Sequence, residues 1–135
     1  MAAGLDETDR FEPHYNSEGL IPAIVTDATD GTVLMFAFMN ADALRLTQET
    51  GVAHFWSRSR KALWKKGETS GETLQVKALL TDCDQDVVQV KVIPQGKGAA
   101  CHTGRRSCFY RMVEGERLVF TDDQPLFDPD AVYRS

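Results

Sequence analysis

Two apolar runs meeting across an Asp-Gly pair, IPAIVTDATDGTVLMFAFM at residues 21–39, constrain this chain more than any other stretch. Both runs are of strand length and rich in β-branched and aromatic residues, and Asp30-Gly31 supplies a tight turn, so the segment predicts a β-hairpin. The second run, VLMFAFM, contains no polar residue and is expected to be buried on both faces of a sheet.

A helix is expected next. Asn40 is a candidate N-cap, Asp42 places an acid in the first turn, Ala43, Leu44 and Leu46 offer apolar contacts, and Gly51 is a natural stop. VAHFWS reads as a further strand, as do Thr73 to Leu80 and Val87 to Ile93, the latter alternating Val88, Val90 and Val92 with Gln89 and Lys91. The link TDCDQD is polar and fits a hairpin tip. A strand running straight through it would bring Asp82, Asp84 and Asp86 onto an apolar face shared by Ala78, Leu80, Val88 and Val90, a costly burial of like charges. RLVFT is the last strand candidate. The pattern predicts an α+β fold: a compact, strand-rich single domain over residues 1–135 with one main helix, residues 1–12 and about 122–135 being loose or arm-like.

At 135 residues and 42% hydrophobic, the chain can bury one adequate core. It shows no secretory pattern and no apolar run near the roughly eighteen residues a membrane span needs, so a cytoplasmic protein without a membrane partner is expected. In that reducing compartment, three cysteines argue against a disulfide framework and leave a metal site or plain buried thiols. The net charge of -5 argues against a surface that attracts nucleic acid as a whole. Charge is uneven, however: SRSRKALWKKG carries Arg58, Arg60, Lys61, Lys65 and Lys66 without an acid, and Arg105 with Arg106 adds a second basic spot. These residues suit either a local anion site or a solvated basic face.

ACHTGRRSCF holds Cys101 and Cys108 with His102 beside the first. A zinc knuckle spaces its cysteines by two residues, so this is no standard ribbon. Unliganded thiols, a closed structural site, and an open catalytic site in which Cys83 joins and water or His102 completes the set all remain compatible with the spacing. DCDQD is likewise either an ordinary Asp-rich turn or a cluster of oxygen ligands for a hard divalent cation.

Taken together, DCDQD, ACHTGRRSCFYR and SRSRKALWKKGETSGETLQV, in their spacing along the chain, resemble the phosphoribosyl-AMP cyclohydrolase family of histidine biosynthesis, and LMFAFMNADALRLTQETG is similar to the family's early strand and helix. The likeness runs from about Leu20 through Arg111. It implies hydrolytic opening of the adenine ring of N1-(5-phosphoribosyl)-AMP at the N1–C6 bond. It also implies an intertwined homodimer in which Cys83 of one subunit joins Cys101 and Cys108 of the other on zinc, while Asp82, Asp84 and Asp86 hold magnesium.

Three thiolates leave zinc a weaker Lewis acid than three histidines do, so a nearby base is needed. His102 is the candidate, because imidazole changes protonation near neutral pH; its alternative role is to order the turn. The substrate bears two phosphate-carrying ends. Arg58, Arg60, Lys61, Lys65 and Arg105 are candidates to receive them, with Thr69 and Ser70 of KGETSG offering hydroxyls.

Two other classes compete. A zinc-dependent RNA-binding module would use the basic segment and aromatic residues on single strands, but no aromatic RNA motif is present. A zinc nucleobase deaminase normally shows a His/Cys-x-Glu element and a Pro-Cys-x-x-Cys element, and this sequence has neither.

Overall fold

The computed structural model describes residues 7–121 and 124–133. Strands β1 (Ile21–Asp27) and β2 (Val33–Met39) pair antiparallel from Ile21↔Met39 to Thr26↔Val33, forming the expected hairpin. Helix α1 (Ala41–Thr50) follows at once, with the Asn40 side chain accepting the Ala43 N–H at 2.8 Å and Gly51 ending it in the left-handed conformation. Ala43, Leu44 and Thr47 form its buried face. The Thr47 hydroxyl donates to the Ala43 carbonyl at 2.8 Å and accepts the His54 N–H at 2.9 Å, which ties the helix to β3 (His54–Ser57).

β3 pairs with β2 and with β4 (Ala62–Lys65), a short strand that lies inside the basic segment. β5 (Leu74–Thr81) and β6 (Val88–Pro94) form a second hairpin around the polar link, and β6 joins β1 in parallel, Ala23 opposite Val88 and Val25 opposite Val90. The resulting sheet has the order β4-β3-β2-β1-β6-β5. Its core gathers Ile21, Ala23, Val25, Leu34, Met39, Phe55, Leu74, Val88, Val90 and Val92. A separate hairpin of β7 (Arg111–Glu114) and β8 (Arg117–Phe120) includes the last strand read from the sequence.

Two expectations about faces need correction. β2 is not buried on both sides, since Val33 and Phe36 remain 42% and 49% exposed; the core takes Leu34, Met35 and Met39, and Phe36 instead stacks edge-on against Phe38 at 5.3 Å. In β5 a bulge between Val76 and Ala78 shifts the register, so Leu74, Val76 and Leu79 pack on the core while Ala78 and Leu80 point outward. The apolar face expected at Ala78 and Leu80 is therefore displaced by one residue.

Both ends of the described chain are tied down. Gln85, in the tip of the β5–β6 hairpin, accepts the Glu12 N–H at 2.7 Å and donates to the Arg10 carbonyl at 3.1 Å, while its own carbonyl receives the His14 N–H at 2.7 Å. Toward the other end, the Leu126 N–H donates to the Gly104 carbonyl at 2.6 Å, Phe127 is 7% exposed, and a short helix α2 (Pro129–Tyr133) follows.

Candidate active site

The chain from Gln95 to Cys108 carries two thiols and is held at both ends. At its start, the buried carboxylate of Glu72 accepts the N–H groups of Lys97, Gly98 and Ala99 at 3.0–3.1 Å, satisfying three consecutive donors that a bare loop would leave open. Further on, the Cys101 N–H donates to the Arg105 carbonyl at 3.0 Å and the Ala100 N–H to that of Arg106 at 3.1 Å, closing the turn. The Cys108 N–H then reaches the Leu34 carbonyl at 2.7 Å and the Ser107 hydroxyl that of Val33 at 2.7 Å, which docks the turn onto β2. The Arg106 guanidinium adds contacts to Asp27 at 3.0 Å and Asp30 at 2.8 Å.

This closure brings the two sulfurs together. The Thr103 hydroxyl donates to the Cys101 sulfur at 3.1 Å. The neighbouring Cys108 thiol and this hydroxyl hold the Cys101 thiol down to about 5 against the effect of burial, whereas the Cys101 side chain and burial together push the Cys108 thiol up. One thiolate sharing its neighbour's proton is a soft donor pair suited to zinc. Cys83 is exposed at the β5–β6 tip, and among the described residues the three sulfurs do not converge within one chain.

Asp82, Asp84 and Asp86 bring carboxylate oxygens within 4.8 Å of one another at the same exposed tip. The Asp82 carboxylate accepts the N–H groups of Asp86 at 3.0 Å and Val87 at 3.2 Å. Hydrogen bonds to Asp84 and Asp82 raise the Asp86 carboxyl to about 6; desolvation is the largest single effect on Asp82, yet hydrogen bonds from Asp86, Asp84 and the backbone together outweigh it and lower that carboxyl. Three crowded carboxylates sharing protons fit a hard divalent cation such as magnesium.

Above the thiol pair lies a cavity of about 380 Å³ lined by Cys108, His102, Arg60, Lys65, Thr69 and Ser70, together with Trp64, Lys66 and Ala100. Six residues singled out in the sequence thus meet around one space. Cys101 is not in its lining, and three of the basic candidates also stand outside it. The Arg58 guanidinium lies over the Phe38 ring at 4.2 Å, Lys61 is exposed in the β3–β4 turn, and Arg105 lies over Tyr110 at 4.2 Å and Phe120 at 5.4 Å. A larger cavity of about 570 Å³, between α1, β5 and residues 8–11, contains none of the thiols and no histidine.

Two residues that the motif reading passed over shape this site. Glu72 organises the loop, and Lys66 is only 6% exposed although its neighbour Lys65 is exposed. Burial pushes the Lys66 ammonium below its usual range, while Cys108, Cys101 and Glu72 pull it back. In the sequence Lys66 is one of five cations within the nine residues 58–66, and nothing local marks it as the one turned inward.

A cavity lined by cations, hydroxyls, a thiol and an imidazole has the features of an enzyme site suited to a small anionic molecule. The family model for phosphoribosyl-AMP cyclohydrolase matches residues 35–110. A phosphoribosyl-AMP cyclohydrolase of Sinorhizobium medicae is 56% identical over 133 residues, covering 96% of this chain and 88% of its own length. Those of a Chelativorans species and of Brucella canis are 60% and 62% identical over 123 and 119 residues, covering 90% and 87% of this chain and 88% and 86% of their own lengths. The chain belongs to the phosphoribosyl-AMP cyclohydrolase family.

Proposed function

We propose that this protein hydrolyses the N1–C6 bond of N1-(5-phosphoribosyl)-AMP, opening the adenine ring to the formimino aminoimidazole carboxamide ribonucleotide in the cytoplasmic pathway to histidine. The observation that carries the reading is the convergence of His102, Cys108 and the phosphate-suited group Arg60, Lys65, Thr69 and Ser70 on one cavity. Substitution at N1 leaves C6 electrophilic, and water adds its oxygen there.

His102 takes the proton of the attacking water and returns it to N1 as the C6–N1 bond breaks, so water is added across that bond. Arg60 and Lys65 hold a phosphate with the Thr69 and Ser70 hydroxyls, and Arg58, Lys61 and Arg105 strengthen the positive field around them. A zinc ion on Cys101 and Cys108, with Cys83 given by a second copy, would acidify the water and fix it. Magnesium on Asp82, Asp84 and Asp86 would neutralise phosphate charge. Apolar side chains left open in the single chain, Phe36, Phe109, Val113 and Phe120 among them, support a homodimer.

Ring opening is followed by absorbance and product mass with native, zinc-stripped and zinc-restored protein. Activity that disappears and returns with zinc, without ammonia release, is the expected result. In His102→Ala, turnover falls about a hundredfold to ten-thousandfold while zinc is retained. Mixing inactive Cys83→Ala and Cys101→Ala chains restores some activity, because one hybrid site recovers all three thiols. No turnover by metal-loaded protein, with salt-sensitive RNA binding instead, would favour the binding-module reading.

A further inference from the structure

Lys66 is held inside by its backbone. Its N–H donates to the Ala53 carbonyl at 3.2 Å, and the following Gly67 lies so close to the Glu72–Thr73 backbone that a Cβ there would overlap it. These contacts bury the side chain against the cavity, 5.9 Å from the Trp64 ring, whereas Lys65, which lines the same cavity, stays exposed. Among the described residues, no ion pair with a carboxylate involves Lys66. Glu72, its acidic neighbour, is committed to the three backbone N–H groups of the loop.

A buried ammonium without a carboxylate is costly unless another anion faces it. Beside Glu72, the groups that share its surroundings are the thiols of Cys101 and Cys108, the latter lining the same cavity, and a bound metal would make both of them anionic. Three thiolates around a divalent cation carry one net negative charge, and a lysine beside them brings the cluster to neutrality.

We propose that Lys66 is the counter-charge of the Cys101–Cys108 pair, a positioning residue that stabilises the metal-bound thiolates. This rests on the zinc reading above. It separates Lys66 from Arg60 and Lys65, which share the cavity but are exposed and free to meet substrate.

The test is zinc affinity in the absence of substrate, measured by competition with a chromogenic chelator for wild type, Lys66→Met, Lys66→Gln and Lys66→Arg, each checked for fold by circular dichroism. Loss of the charge is expected to weaken zinc binding about tenfold or more, and Lys66→Arg to restore most of it. If Lys66→Met does not fold, Lys66→Gln against Lys66→Arg makes the same comparison between two polar side chains. Unchanged zinc affinity in the neutral variants would overturn the inference, and a raised KM in those variants would place Lys66 on the substrate instead. A wild type that binds no zinc would remove the reading beneath it, a result distinct from zinc binding that is indifferent to Lys66.

Discussion

The guanidinium of Arg106 meets the carboxylate of Asp30 at 2.8 Å, joining the turn between the two thiols to the turn between β1 and β2. Asp27 shares the same guanidinium nitrogen at 3.0 Å, and the Thr32 hydroxyl lies 3.3 Å from its neighbour.

This clasp has a pH signature. Desolvation is the largest single effect on Asp27, but hydrogen bonds from Thr29 and Arg106 together outweigh it and hold the carboxyl below its ordinary value, and those from Thr32 and Arg106 do the same for Asp30. Carboxyls lowered on folding add stability that is complete above their unfolded value and is lost as pH falls through the folded one. The upward shift of Arg106 acts only in strongly alkaline solution, far from the range of interest. Arg106→Met is therefore expected to lower the thermal midpoint near pH 7 by roughly 3–6 °C. The difference from wild type narrows as pH drops below about 4, which thermal scans across pH would read.

Glu72→Gln keeps the size of the side chain but removes the charge that three N–H groups converge on. A loss of about 2–3 kcal/mol is expected in denaturant unfolding, with weaker zinc retention because the loop to Cys101 is no longer anchored. Unchanged stability would mean that these donors find other partners.

Gly104 has φ +87, and a Cβ there would overlap the Phe127 carbonyl. Gly104→Ala is expected to cost roughly 1–3 kcal/mol and to free the segment from Leu126 onward, read as faster proteolysis near that point. Phe127→Ala produces the same protease sensitivity without altering the turn itself, which separates lost packing from backbone strain.

The Asp86 carboxyl, raised to about 6 by its neighbours, takes up a proton more readily in the folded chain than in the unfolded one. Cation-free stability therefore falls as pH rises toward 6 and stays reduced above it. Asp86→Asn is expected to raise the thermal midpoint at neutral pH without magnesium. Added magnesium stabilises wild type more than the variant, and equal responses would count against a cation at this tip.

The parts of the fold that were legible in the sequence are those decided by near neighbours. Asn40 and Gly51 bound their helix through contacts three and four residues away, and the β1–β2 and β5–β6 turns fall where polar residues interrupt apolar runs. The exposure of Phe36 and the bulge beside Lys77 depend on what packs across the sheet, which no local pattern encodes. β4 was hidden because its cations look like a solvated loop, and β7 because its residues stay exposed. The cysteines, His102 and the aspartates stood out in the sequence as clusters, and the roles expected of them came from the family resemblance, since their spacing alone left ordinary thiols and an ordinary turn open. The inward turn of Lys66 and the loop anchor at Glu72 follow from distant backbone contacts and escaped it.

The seam between β1 and β6 has a consequence for the order in which this chain becomes an enzyme. Ala23 waits for Val88 before that parallel pairing can form, a sequence separation that makes it entropically expensive and slow relative to the hairpins on either side. The thiol loop begins just after β6 and docks onto β2, so on a growing polypeptide it emerges only when the last strand of the large sheet is already made. Closure of the thiol pair onto β2 is thus a late event in maturation, set by the timing of synthesis itself.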